Sequence, residues 1–118
     1  MESRKPLNPY GGEECVVQII VYSKAGCHLC AGLLEKLSTV QAQATDLTFS
    51  IVTRDITTRE AWFQRYQYEI PVTFLAPSSL TDEDDPADPS TGAIALPRLS
   101  PRSSAARAEK WLRNHWPA

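Results

Sequence analysis

Cys15-Val16-Val17-Gln18-Ile19-Ile20-Val21-Tyr22-Ser23-Lys24-Ala25-Gly26-Cys27-His28-Leu29-Cys30 decides the fold of this chain. From Cys15 to Ser23 it is β-branched and almost continuously apolar, the pattern of a central strand buried on both faces. The strand ends at Ser23-Lys24-Ala25-Gly26. Leu33, Leu37, Val40 and Ala44 then recur at spacings of three and four, with Leu29, Cys30 and Leu34 beside the same stripe. That periodicity predicts an amphipathic helix from about Cys27 to Ala44, with Cys27 in its first turn.

Downstream, Leu47, Phe49 and Ile51 alternate with Thr48, Ser50 and Val52 in a second strand ending near Arg54-Asp55. Thr57 or Thr58 is expected to cap a short helix over Arg59–Gln67, with Trp62, Phe63 and Tyr66 inward. Glu69-Ile70-Pro71-Val72-Thr73-Phe74-Leu75 reads as a third strand and Gly92–Leu96 as a short fourth. A last helix is expected from about Pro101 to His115, with Ser100 as cap and Pro101 at its first position. It would bury Ala105, Ala108, Trp111, Leu112 and His115 or Trp116. The first two strands are joined by a helical crossover and the last two form an antiparallel pair. The expected fold is therefore α/β, a mixed four-stranded sheet in the order βαβαββα.

A length of 118 residues, 42% of them apolar, describes one domain at 15–118 behind a mobile tail at 1–14 that holds Pro6, Pro9, Gly11 and Gly12. The loop at about 77–91 carries Asp82, Glu83, Asp84, Asp85 and Asp88, three prolines and no Lys or Arg. It reads as a solvated, mobile loop, with a specific binding surface as the alternative. The net charge of −2 turns positive once these five carboxylates are set aside, and the excess lies at Arg98, Arg102, Arg107, Lys110 and Arg113, which face only Glu109. The balance gives no reason to expect nucleic acid as a partner. No apolar run approaches the roughly 18 residues that cross a bilayer, and Arg4 and Lys5 are not followed by the apolar stretch of a secretory signal. A cytoplasmic or equivalent reducing location with no membrane contact is expected.

Three cysteines are too few for a disulfide scaffold, and two of them form Cys27-His28-Leu29-Cys30. At a helix start, the unpartnered backbone N–H groups and the positive end of the helix dipole stabilise a thiolate, so Cys27 is the candidate nucleophile. Cys30, one turn deeper on the same face, is placed to attack a mixed disulfide formed at Cys27. His28 is either a charge beside Cys27 or a solvated bystander. The competing reading of a C-x-x-C pair is half a zinc site. The remaining candidate ligands, Cys15, His28 and His115, lie at no ligand-like spacing, so no metal is expected. Cys15 itself reads as a small core residue.

Tyr22-Ser23-Lys24-Ala25-Gly26-Cys27-His28-Leu29-Cys30 after a buried strand, followed by Tyr66 and Ile70-Pro71-Val72, resembles a glutaredoxin. The Cys-His-Leu-Cys variant and the Trp62-x-x-x-Tyr66 stretch most resemble the glutaredoxin-like branch of the thioredoxin-fold superfamily. The similarity is strong over about 15–76 and weaker over the terminal strand and helix. It implies a thioredoxin fold, with four mixed strands flanked by three helices, and a monomer without a tightly bound cofactor. It also implies a cis Pro71 facing the dithiol, the backbone of Ile70 pairing with a bound peptide or glutathione, and Lys24 contacting a glutathione carboxylate; a solvated loop lysine is the other reading of Lys24. In place of the family's Gly-Gly turn and acidic residue the chain reads Leu96-Pro97-Arg98-Leu99-Ser100-Pro101-Arg102. Arg98 and Arg102 thus become candidate contacts for an anionic ligand, or tolerated surface charges, and Arg102 in a first helical turn would oppose the dipole preference.

The expected activity is a disulfide oxidoreductase acting on disulfide-bonded protein substrates or glutathione mixed disulfides, with glutathione as a candidate co-substrate. A noncatalytic binding module of the same fold is the alternative, and iron–sulfur binding by a dimer is a weaker third reading.

Overall fold

A computed structural model describes residues 17–117. The expected tail at 1–14 and Cys15 lie outside the described residues. Strand β1 (Val17–Ser23) is followed by helix α1 (His28–Gln43), strand β2 (Phe49–Asp55), helix α2 (Glu60–Tyr66), strands β3 (Val72–Pro77) and β4 (Ile94–Ala95), and helix α3 (Ala105–His115). The sheet order is β2-β1-β3-β4. β1 runs parallel to β2, antiparallel to β3, and β3 antiparallel to β4, the expected mixed sheet.

Every residue of β1 is buried, because alternate side chains enter separate cores on the two faces of the sheet. Ile19 and Val21 join Phe49 and Leu75 under α1 and α3, which contribute Leu33, Leu37, Val40, Ala108, Trp111 and Leu112. Ile20 and Tyr22 join Phe74 and Ala76 on the other face, where Tyr66 of α2 and Ile56 close the core and Trp62 and Phe63 pack partly buried.

Three expectations need correction, two of them at element ends. Neither Thr57 nor Thr58 caps α2: both hydroxyls donate to Asp55, whose carboxylate also accepts the Thr57 N–H at 2.9 Å and caps a 3-10 turn over Ile56–Thr58. The last helix starts at Ala105 rather than Pro101, with Ser104 as its cap accepting the Arg107 N–H at 3.1 Å. Ser100 instead closes a separate turn, accepting the Arg102 N–H on its hydroxyl and the Ser103 N–H on its carbonyl. Lys36 takes the Pro101 carbonyl at 3.0 Å. Arg102 therefore sits in a turn ahead of the helix, where no conflict with the dipole arises.

The third correction is the acidic loop, which is pinned by arginines. Parallel pairing sets Arg54 directly beside Tyr22. Its guanidinium, 3% exposed as a residue, donates to the Tyr22 hydroxyl at 2.9 Å, the Thr81 carbonyl at 2.8 Å and the Asp84 carbonyl at 3.1 Å. Arg59 pairs with Glu83 at 3.2 Å and Arg65 with Asp85 at 2.9 Å. The carboxylates of Asp84, Asp85 and Asp88 further accept backbone N–H groups inside the loop. Three of the five clustered acids, Asp82, Glu83 and Asp85, thus face an arginine of β2, of the α2 N-cap or of α2 itself.

Candidate active site

Only Lys24 to Cys27 separate the end of β1 from the start of α1, so the chain must turn within these four residues. It does so through a turn in which the Cys27 N–H donates to the Lys24 carbonyl at 3.2 Å and Gly26 adopts φ +84°, a conformation that L side chains disfavour. Cys27, with extended dihedrals, is the N-cap of α1: its Sγ accepts the Cys30 N–H at 3.1 Å. A sulfur thus occupies the place of the oxygen that normally satisfies the orphan donors of a helix start.

Cys27 and Cys30 are joined as a disulfide, with their Cα atoms 5.3 Å apart. The two cysteines differ in exposure. Cys27 is half-buried, whereas Cys30 is 2% exposed and faces the core with Leu33 and Leu37. His28 is exposed at the first position of the helix. Leu29, expected beside the buried stripe, is instead 48% exposed, because Cys30 and Leu33 fill the inward face of that turn.

The Ile70–Pro71 peptide is cis. Since Tyr22 pairs with Val72, Pro71 lies at the same end of the sheet from which the Lys24–Gly26 turn leads to Cys27. The Ile70 N–H donates to the Tyr66 carbonyl at 3.2 Å, which leaves the Ile70 carbonyl as the backbone group available to a peptide there. Beside Pro71 lies a cleft of about 310 Å³, bounded by Leu29 and Lys36 of α1, Glu69, and the segment from Leu96 to Pro101. Three hydrogen bonds hold that segment in place. Arg98 donates to the Glu69 carbonyl at 2.7 Å, Trp111 Nε1 to the Pro97 carbonyl at 2.9 Å, and Lys36 to the Pro101 carbonyl.

The structure thus brings Cys27, Cys30, Ile70 and Pro71 to one end of the sheet and sets Arg98 on the wall of the adjoining cleft. Arg102 lines a second, contiguous groove, and Lys24 lines neither. Sequence reasoning missed Leu29 and Trp111 as wall residues. A helical wheel assigns both to the core, and only the position of the Leu96–Pro101 segment turns their edges toward a cleft. Among the described residues no group of His, Cys, Asp and Glu is arranged to hold a metal ion, and no helix is long and apolar enough to cross a membrane.

No curated protein matches the chain. Among solved structures, one described as "Structure of a malarial protein" superposes with a TM-score of 0.51 at 13% identity, over 86% of this chain and 99% of that one. At that identity the likeness concerns the fold alone, which is thioredoxin-like. The family described as Glutaredoxin-like domain (DUF836) matches residues 18–113, most of the chain and all of the site, and the chain belongs to that family.

Proposed function

We propose that the protein is a thiol–disulfide oxidoreductase that reduces mixed disulfides of proteins or of glutathione through Cys27 and Cys30. The observation that carries this reading is the half-buried Cys27 at the N-cap of α1, its sulfur hydrogen-bonded by a backbone N–H and bridged to a buried partner one turn on. In the reduced protein the same N–H and the helix dipole favour the Cys27 thiolate, the form that reacts.

The Cys27 thiolate attacks one sulfur of the substrate disulfide, forming a mixed disulfide and releasing the other half as a thiolate. The Cys30 thiolate, formed as its proton leaves to solvent or to the departing thiolate, attacks Cys27 Sγ. The Cys27–Cys30 bond forms, the mixed disulfide breaks, and two electrons have passed to the substrate. The bridged pair described above is the product state. An external thiol donor re-reduces it, which agrees with the reducing, cytoplasmic location expected from the sequence.

Pro71 presents the adjoining backbone, the Ile70 carbonyl accepts a substrate N–H, and Arg98 and Arg102 attract substrate carboxylates, such as those of glutathione. Lys24 contributes only solvent-facing charge near the dithiol. No bound cofactor or metal takes part. The test is reduction of a glutathionylated peptide by the wild type and by Cys30→Ser. Turnover by the wild type and accumulation of a Cys27 mixed disulfide in the variant are expected; absence of both overturns the proposal.

A further inference from the structure

Lys24 and Lys36 aside, the cations of the described residues sort into two sets. Arg54, Arg59 and Arg65 hold the acidic loop, and Arg113 is paired with Asp46 and Glu109. Arg98, Arg102, Arg107 and Lys110 form no ion pair among the described residues, yet all four line one open groove of about 710 Å³. No carboxylate shares its wall, which is completed by serines, Leu99, Trp111 and Asn114. Arg107, Lys110 and Asn114 follow one another on one face of α3 over about 10 Å of helix axis. Holding four cations together without local counter-charge is unfavourable, and an anion laid along the groove relieves it.

The groove shares Arg98, Leu99, Ser100 and Trp111 with the cleft beside Pro71, so a chain bound in the one continues into the other. We propose that this groove receives an acidic segment of the polypeptide substrate whose disulfide is presented to Cys27. The proposal rests on the oxidoreductase reading. In extended conformation about four acidic residues, roughly 13 Å, match the row of cations. The ligand is a peptide rather than a long polyanion because the row of cations is short, about 10 Å along α3.

Two measurements test the inference separately from the redox chemistry. The first is binding of a fluorescent, cysteine-free peptide holding five glutamates, against the same peptide with five glutamines. The glutamate peptide should bind roughly tenfold more tightly, the equivalent of a few exposed charge pairs. That preference should vanish between about 0.1 M and about 1 M salt, as the screening length falls from ~10 to ~3 Å. The exposed pair Arg107→Ala/Lys110→Ala should abolish it.

The second is kcat/KM for the same two sequences carried as glutathione mixed disulfides. The wild type should favour the acidic one by roughly tenfold through KM, and the double variant should treat both alike while reducing the glutamine substrate at the wild-type rate. Equal affinity for both peptides, or equal kcat/KM with the wild type, overturns the groove and leaves the oxidoreductase reading standing. Selective binding of the acidic peptide with no reduction of either substrate upholds the groove and overturns the redox reading. Tighter binding of a single-stranded thymidine oligonucleotide than of the glutamate peptide replaces the acidic peptide with nucleic acid and overturns the proposal.

Discussion

Replacing Arg54 by methionine keeps an unbranched apolar stem and removes the charge and all of the donors. Three hydrogen bonds disappear, at 2.9, 2.8 and 3.1 Å, to Tyr22, Thr81 and Asp84. The two loop carbonyls can turn to water, but the Tyr22 hydroxyl belongs to a residue 1% exposed and stays without a partner, at about 1–3 kcal/mol. The guanidinium also lies 5.3 Å from the Trp62 ring and 5.6 Å from the Tyr22 ring, contacts worth about 0.5–1 kcal/mol each. Relief from burying a charge, whose Nε has no hydrogen-bond partner, offsets part of this loss. A net loss of about 3 kcal/mol follows, near the lower end of what breaking a buried charge network costs. With a urea m-value of about 1.5 kcal/mol/M the midpoint should fall by about 2 M. Amide protection should be lost first at Thr81–Asp84, because that turn loses its anchor. A midpoint within about 0.5 M of the wild type, or unchanged protection in the loop, would refute the claim that Arg54 holds the loop to the sheet.

Alkylation rate against pH should show the Cys27 thiol titrating well below the ordinary value of about 8.5, with Cys30 higher; a Cys27 value at or above the ordinary one removes the physical basis of the mechanism. Cys27→Ser should abolish all disulfide reduction, Cys30→Ser should stop dithiol turnover while Cys27 still forms mixed disulfides, and Cys15→Ser should change little, as steady-state assays and mass spectrometry will report. Arg98→Ala and Arg102→Ala should raise KM for a glutathionylated substrate more than they lower kcat, and unchanged kinetics in both would assign these arginines to plain surface. Stability should fall at both extremes of pH. Burial raises the Tyr22 phenol above 10.0 despite the opposing Arg54 charge, so its contribution is complete below that value and is lost as pH rises through the folded pKa. The Arg113 hydrogen bond lowers Asp46 and the Thr57 hydrogen bonds lower Asp55 from 3.8, so theirs is present above 3.8 and is lost as pH falls through the folded values. Urea midpoints that do not decline at either extreme contradict these assignments.

The sheet and the dithiol were legible because each rests on local pattern. Val17–Ser23 can be apolar throughout only if both faces are covered, and Cys27 falls where one period stops and the other begins. Ser100 and Ser104 are equally good caps by composition. The choice between them depends on where Lys36 can reach, which is tertiary information. Arg54 was read as the polar end of a strand, since nothing in its neighbours reveals that parallel pairing sets it beside Tyr22 under a loop rich in carbonyls. The acidic loop is held in the same long-range way: the arginines that bind its Glu83 and Asp85 carboxylates and its Asp82 and Asp84 carbonyls lie 20 to 30 residues away in sequence.

Trp111 is 8% exposed, its indole N–H is fixed on the Pro97 carbonyl, and its ring borders both the cleft beside Pro71 and the basic groove. The other two tryptophans stand elsewhere, Trp62 beneath Arg54 and Arg59 and Trp116 against Phe49. The molecule therefore carries its own optical probe. In a Trp62→Phe/Trp116→Phe background the emission of a single indole should register a peptide arriving in either depression, and a stopped-flow trace could time that arrival against the opening and closing of the disulfide without any attached dye.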